Sequence, residues 1–502
     1  MLDHVTYWAQ GTPDNVAFVD ERTGDEPGET RRLTWRELEA EVNRWANAIL
    51  DAGIGPDQLV GWCGSNCLEA VAITHACRRT GTIAVPIPYR LTADEAHWIA
   101  EHSGVSMVWT QPEFDHLVPA HIPRFNKSRS TAGTPPELVS DATRTLLYTS
   151  GTTGRPKGAL RSTGGAPGQF GAMLEMIWGS ENHRFTDGQP HVYLTTGPLY
   201  HSGPSAFGLR AHLLGATIIT QPRFDAERWL ATVEREGVTT TFTAPTAMRR
   251  VTSLPAEVRA KYDTSSMRAL IANAAPWTMA LKRAYLDQFP PQSLWEVYGS
   301  TELSVSAVMA PEDHLRKPGS CGQLAPGVEM ALFTEDGERI TTPHTEGVLY
   351  VRSAGVFETY FKNDEQYRAN RLDDWQTVGD IAYFDEDEFW YICDRRTDLI
   401  VSGGVNVYPA EIENVLDDHD ALAEVAVFGV PDEEWGQAVH AAVRVKAGAP
   451  VPSVQELREF GRDRLAGYKL PRGMTVFEDF PRTGSGKVLR REIRTQVLDA
   501  LT

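Results

Sequence analysis

The sequence predicts an α/β fold: a large N-terminal domain of layered sheets and helices with a β-rich subdomain, plus a small C-terminal α/β domain. Three observations predict it. Helical and strand-like runs alternate along most of the chain, the pattern of sheets covered by helices. From about 324 to 394 the texture changes to short strands split by turns. The last hundred residues then carry strands and capped helices of their own.

Taken in order, Leu33 to Ala52 reads as a helix. Thr34 is its N-cap with Glu37 three residues on, Leu38, Val42, Trp45, Ala46 and Ile49 recur at helical spacing, and Gly53 ends it. Ile83 to Ile87 is a short apolar run of strand type. Residues 111 to 140 repeat Pro, Ser and Thr with little periodicity and read as a surface connector. Asp336-Gly337 is a hairpin turn before a strand at Gly347-Val351. Pro409 opens a helix with Ile412, Val415 and Leu416 on one face. Val425 to Val430 and Val439 to Val445 read as strands, and Ser453 with Glu456 forms a capping box ahead of Leu457 and Phe460.

Composition narrows the function. Of 502 residues, 41% are apolar, ample for a core, and the prior from length is about three domains. Lys and Arg number 48 against 67 Asp and Glu, a net charge of −19, so nucleic acid is not expected as a partner. A few local donors still suffice to hold a small anion. With no apolar run near 18 residues, no integral membrane association is expected. The opening Met1-Leu2-Asp3-His4 lacks the regions of a signal peptide. Cys63, Cys67, Cys77, Cys321 and Cys393 are scattered without metal spacing, so free thiols in a reducing cytoplasm are expected.

The strongest chemical signal is Tyr148-Thr149-Ser150-Gly151-Thr152-Thr153-Gly154-Arg155-Pro156-Lys157-Gly158, which follows the apolar Leu146-Leu147. Its glycines let the backbone turn and point N–H groups at one centre, and its hydroxyls and lysine add donors, as a polyphosphate requires. It is not a Walker A loop: Pro156 stands where that motif needs Gly, and no Ser or Thr follows Lys157. Taken alone, the segment is equally a polar surface loop.

This segment resembles the phosphate-binding signature of the adenylate-forming superfamily, which contains acyl-CoA synthetases, nonribosomal adenylation domains and firefly-type luciferases. The resemblance runs in order from about residue 8 to residue 494. Tyr298-Gly299-Ser300-Thr301-Glu302 is similar to the family's adenine and metal motif. Tyr298 offers a flat face to adenine, and Thr301 and Glu302 supply hard oxygen that suits Mg²⁺, whose ligands the resemblance implies to be Glu302 and Thr149. Asn273-Ala274-Ala275-Pro276 resembles the segment on the other side of the adenine. Asp380 matches the Asp that takes the ribose hydroxyls, although Val378 stands two residues before it where the family has Thr. Arg395, in Asp394-Arg395-Arg396-Thr397-Asp398, matches an arginine that reaches ribose and phosphate. The same stretch resembles the interdomain hinge, where relatives commonly carry Lys or Asp at the position of Thr397.

The resemblance also implies that Ser402-Gly403-Gly404 lines a coenzyme A channel, that Lys487 is the catalytic lysine, and that His201 gates the acyl carboxylate. It implies an N-terminal adenylation domain over 1–394, a hinge at 395–398 and a mobile lid domain over 399–502. An acyl pocket follows from Gly203, Phe207, Ala244, Ala274, Trp277 and Ser304, mostly apolar. Relatives that adenylate α-amino acids place an Asp near position 201 or 202, whereas this chain has His201-Ser202, and Asp225 reads as a helix cap. The expected activity is activation of a hydrophobic carboxylic acid without an α-amine, fatty, aromatic or polycyclic, by ATP and Mg²⁺ through an acyl-AMP, then transfer to coenzyme A. Amide synthesis with an amine acceptor, a luciferase-like oxygenase and a non-catalytic scaffold are the alternatives. Lys487, Glu302 and Asp380 together argue against the scaffold.

Overall fold

A computed structural model describes residues 3–21, 30–127, 144–149, 156–162, 167–178, 180–181, 184–185, 191–275, 277–395, 398–402, 405–433, 435–483 and 486–501. A nine-stranded sheet forms the centre. From edge to edge it runs Gln323–Leu324, Ser304–Met309, Leu294–Ser300, Ala269–Ala272, Thr240–Thr243, Val192–Thr195, Thr217–Thr220, Val16–Asp20 and Arg31–Thr34. The strands from Val16–Asp20 to Leu294–Ser300 along that order pair in parallel, and the outer ones antiparallel. Parallel strands are buried on both faces, and Ala269–Ala272 and Thr240–Thr243 are buried throughout.

A second, six-stranded sheet runs Thr359–Tyr360, Lys157–Ser162, Arg144–Thr149, Ile83–Pro86, Leu59–Cys63 and Met107–Thr110. A third sheet is built from short strands between Glu329 and Arg395. It contains the expected hairpin: Gly337 has φ +82° and its N–H donates to the Thr334 carbonyl at 3.1 Å, between Glu329–Phe333 and Arg339–Ile340. The small C-terminal unit has its own sheet, Leu422–Asp432, Gly436–Val445 and Gly473–Val476, and an apolar core around Ile412, Leu416, Val427, Val439 and Leu457.

Local signals explain the helices. Thr34 caps Trp35–Asp51 with the full Thr34–Glu37 capping box, and Ser453–Glu456 does the same for Val454–Gly461. Pro409 occupies the first turn of Pro409–Leu416. Leu33, read as helical from the sequence, instead ends an edge strand at Thr34, because the cap residue itself must be extended.

The expected surface connector at 111–140 needs correction. Pro112–Leu117 is a 3₁₀ helix, and Leu117, Val118, Ile122 and Phe125 are buried. Phe125 packs edge-on against Trp45 at 5.4 Å, and the Val108 N–H donates to the Pro123 carbonyl at 2.9 Å, which lengthens the second sheet's ladder. Arg124 donates to the carbonyls of Val118, Pro119 and Ile122, replacing regular backbone pairing. Residues 128–140 lie outside the described ones. The five cysteines are free, and none of the described helices is long and apolar enough to cross a membrane.

Candidate functional site

Four neighbouring parallel strands end at one edge of the central sheet, and each hands over to a site segment. Val192–Thr195 leads to His201, Thr240–Thr243 to Ala244, Ala269–Ala272 to Asn273-Ala274-Ala275, and Leu294–Ser300 to Thr301-Glu302. Ligands of open α/β sheets sit outside the carboxyl ends of the strands, so the topology itself gathers residues that the sequence scatters over a hundred positions.

The loop geometry at this edge is specific. Asn273 donates its side-chain amide to the Val297 carbonyl, tying the Asn273-Ala275 segment to the strand that carries Tyr298. Ala274 takes φ +75°, a left-handed conformation uncommon outside glycine, directly after that anchor. A Cβ on Gly299 would fall 1.9 Å from the Ser304 carbonyl oxygen, so only glycine allows the bulge between Tyr298 and Ser300. Ser300 Oγ accepts the N–H groups of Glu302 and Leu303 at 3.2 and 3.1 Å and closes the turn.

Asp380, buried, starts the strand Asp380–Phe384 and accepts a hydrogen bond from the Tyr298 phenol. Register places Asp380 opposite Arg395. The backbone of Arg395 is thus at the site edge, while its side chain lies outside the described residues. At the position where relatives have Thr, Val378 packs against the core; Thr377 takes over the turn, accepting the Gly379 N–H at 2.9 Å and donating to the Leu349 carbonyl at 2.6 Å.

The second sheet supplies the other wall. Thr149 and Lys157 face each other as the last pair of two antiparallel strands. Ser150, Gly151, Thr152, Thr153 and Gly154 lie outside the described residues. Lys157 places its ammonium 5.8 Å from the Tyr360 ring centroid, and burial lowers its pKa against an opposing pull from Glu302. Arg161 is held down to about 10, by burial first, with Glu302 opposing. Arg210 is held to about 9, by burial and then by Arg161.

His201 is the N-cap residue of the helix Ser202–Leu213. Asn66 anchors the loop before it, donating to the Gly197 carbonyl at 3.0 Å and accepting the Leu199 N–H at 2.8 Å. Burial, and then Arg90, hold the His201 pKa down to about 4, so the ring is neutral at pH 7; its Nε2 is buried with no hydrogen-bond partner among the described residues. Ser202 is engaged elsewhere, its hydroxyl 2.8 Å from that of Thr301.

The acyl-pocket residues come together in part. Phe207 stacks on Phe242 at 5.1 Å, and a Cβ on Gly203 would fall 2.4 Å from the same ring. Ala244 follows that strand, and Ser304, at φ +63°, lies against Gly355. Trp277 does not join them. It belongs to a different apolar cluster, with Met248, Leu281 and an edge-on contact to Tyr285 at 6.5 Å. A Trp beside a substrate loop reads as pocket lining in sequence, but Thr278 caps the helix Met279–Leu286 directly after it and carries it into that core.

The C-terminal unit reaches this edge through its glycine loop. The Thr246 hydroxyl donates to the Gly486 carbonyl at 2.9 Å, and Arg482 donates to Thr246 at 3.3 Å. Lys487 follows Gly486, with an exposed side chain and its N–H bonded to Thr483 Oγ1 at 3.1 Å. A second contact joins the units: Asp417 Oδ2 accepts from Thr278 at 2.6 Å and Arg249 at 2.9 Å. Ser402 is buried at the end of a short strand, and Thr397, Gly403 and Gly404 lie outside the described residues.

The sequence missed Tyr360, Arg161, Thr246 and Asn66. Strand periodicity was a usable signal for one of them, since Lys157, Ala159 and Arg161 share a face. The others depend on contacts between distant segments.

These features define an α/β protein in which a large unit and a small C-terminal unit meet at the carboxyl edge of the central sheet. The chain belongs to the AMP-binding enzyme family, whose model matches residues 5–361, with the family's C-terminal domain matched over 411–487. It is 31% identical over 97% of its length, and 96% of the relative's, to a 2-succinylbenzoate–CoA ligase of Bacillus cereus. Its fold is similar to that of an o-succinylbenzoate coenzyme A synthetase of Bacillus subtilis solved with ATP and a magnesium ion, with a TM-score of 0.81, 29% identity and 98% of each chain covered. An amide bond synthetase of Marinactinospora thermotolerans superposes with a TM-score of 0.83 at 25% identity, covering 98% of this chain and 99% of that one.

Proposed function

We propose that the enzyme adenylates a hydrophobic carboxylic acid without an α-amine, aromatic or fatty, and transfers the acyl group to coenzyme A in the cytoplasm. The observation that carries this reading is the convergence at one sheet edge of Tyr298 with Asp380, of Glu302, and of the loop that bears Lys487. In this reading Tyr298 stacks on adenine, and the Asp380 carboxylate accepts the ribose hydroxyls. The Thr149–Lys157 hairpin presents its loop to the phosphates. The Lys487 ammonium neutralises charge that develops at the α-phosphorus as the carboxylate attacks and pyrophosphate leaves.

Glu302 and the hydroxyls of Thr301 and Thr149 are hard oxygen donors and fit Mg²⁺. Bound there, the ion would neutralise phosphate charge. His201, neutral and with a buried Nε2, is suited to donate one hydrogen bond to the acyl carboxylate. Two facts favour an acid without an ammonium group. Ser202 is bonded to Thr301, and Asp225 accepts the Arg228 N–H at 2.9 Å as a helix cap.

For the second step, the C-terminal unit turns about 395–398, withdrawing Lys487 and bringing Ser402-Gly403-Gly404 to the site. The CoA-ligase names of the relatives favour a thiol acceptor. The amide bond synthetase likeness favours an amine as the second reading. Pyrophosphate exchange with a panel of acids tests the first half-reaction. Supplying coenzyme A or simple amines with the best acid tests the second. Exchange stimulated best by free α-amino acids would overturn the substrate class, and amide without thioester would overturn the acceptor.

A further inference from the structure

The Glu302 side chain is held by a device that the adenylation reading does not account for. Tyr360, on the edge strand Thr359–Tyr360 of the second sheet, donates its phenol to Glu302 Oε1 at 3.0 Å, and both residues are buried. The Glu302 backbone is fixed at both ends: its N–H donates to Ser300 Oγ at 3.2 Å and its carbonyl accepts the Phe357 N–H at 2.8 Å. The Phe357 and Tyr360 rings pack on each other at 4.7 Å, and the register sets Tyr360 opposite Ala159, between Lys157 and Arg161 on the same strand face.

Among the described residues, charge lies near this carboxylate without a cation paired to it. Arg161 donates to the carbonyls of Thr301 at 2.5 Å and Gly355 at 3.2 Å, so its guanidinium sits beside Glu302 while its hydrogen bonds go to backbone. Lys157 stands over the far ring of the pair, 5.8 Å from the Tyr360 centroid. A bidentate Arg–carboxylate pair would consume both Glu302 oxygens. The Tyr360 phenol takes one, and among the described residues no side chain takes the other. An unsupported glutamate beside a polyphosphate would be driven away by like charge or would lose its geometry among several rotamers.

We infer that Tyr360 is a positioning residue, which holds the Glu302 carboxylate through Oε1 so that its other oxygen is aimed at the divalent cation of bound ATP. This rests on the reading of Glu302 as a metal ligand. The segment Phe357-Glu358-Thr359-Tyr360 thereby belongs to the metal site through its contact with Glu302.

The test measures ATP affinity by calorimetry on the intact enzyme without acid, once in EDTA and once with saturating Mn²⁺. The ratio of the two dissociation constants isolates the metal's contribution. Tyr360→Phe keeps the packed ring and deletes only the hydroxyl. The expected result is an EDTA affinity within about twofold of wild type and a ratio reduced about tenfold, the equilibrium factor of a hydrogen bond to a charged group. Equal losses in both arms would mean a structural role, and an unchanged ratio would mean that the phenol aims nothing; either overturns the inference. Glu302→Gln is the control for the reading beneath it. If that variant collapses the ratio while Tyr360→Phe does not, the inference alone fails. If Glu302→Gln keeps the full ratio, Glu302 is not a ligand and both fail.

Discussion

The Gly486 carbonyl accepts a hydrogen bond from the Thr246 hydroxyl at 2.9 Å, which docks the loop carrying Lys487 onto the helix that begins directly after Ala244. On the reading proposed above, this contact places the C-terminal unit in the arrangement that serves the first half-reaction. Lys487→Ala should therefore slow acyl-AMP formation by on the order of 10²–10³, the usual effect of losing one preorganised donor. Thioester formation from synthetic acyl-AMP and coenzyme A should stay near the wild-type rate. Quenched-flow measurement of each half-reaction checks this, and loss of both with an intact melting temperature would refute the domain rotation.

Asp417 holds the same arrangement from a second side, through Thr278 and Arg249. Hydrogen bonds to a charged group contribute about 1.5–3 kcal/mol, so Asp417→Ala should lower the population of this arrangement roughly tenfold or more. Adenylation should slow accordingly, and the thioester step should not. Equal slowing of both steps would make Asp417 a general structural contact.

Asp380 and Tyr298 bear on nucleotide affinity. Asp380→Asn removes the ionised acceptor and leaves the Tyr298 phenol a weaker partner, so AMP affinity should fall by about tenfold or more. Tyr298→Phe keeps the ring face and should cost less than Asp380→Asn. Titration of AMP by calorimetry decides it. The reverse order would mean that the phenol, rather than the carboxylate, contacts the nucleotide.

Acid should destabilise the protein through its buried histidines. His75 Nε2 lies 3.0 Å from His212 Nδ1, and His212 Nε2 donates to the Ala17 carbonyl, so His212 Nδ1 accepts from His75 and the His212 ring is neutral, while burial holds His75 well below the usual histidine range. Burial holds His201 and His212 down to about 4 and His314 to about 3. A histidine whose folded pKa is depressed contributes stability that is present above its unfolded value near 6.5 and is lost as pH falls toward the folded value. Each should remove on the order of 2 kcal/mol by pH 5. The urea midpoint should be flat from pH 8.5 to 7 and fall steadily from 6.5 to 5. A flat profile across that lower window would contradict the neutral assignment.

The elements whose causes are local were legible in the sequence. Thr34 with Glu37, Ser453 with Glu456, and Pro409 each satisfy orphan donors or preset φ within one turn, so their helices start where the residues say. The stretch from Pro112 to Phe125 was not legible, because its buried residues follow neither helical nor strand spacing and gain their burial from Trp45 and the second sheet. In the site, the segment from Tyr148 to Gly158 stood out in sequence as a concentration of donors, with Ser150 to Gly154 outside the described residues, and Asp380 stood out only through the resemblance, since alone it reads as a turn residue. Tyr360 did not, since its role exists only where the second sheet meets the turn after Leu294–Ser300. Trp277 shows the opposite error, a side chain adjacent in sequence to the site and turned into another core.

The measurement that tests the account most directly is product analysis of a single reaction containing the enzyme, ATP, Mg²⁺, coenzyme A and the acid that best supports pyrophosphate exchange. Chromatography should find AMP, pyrophosphate and acyl-CoA in equal amounts, with AMP and pyrophosphate dependent on the acid. Accumulation of ADP and phosphate would contradict it.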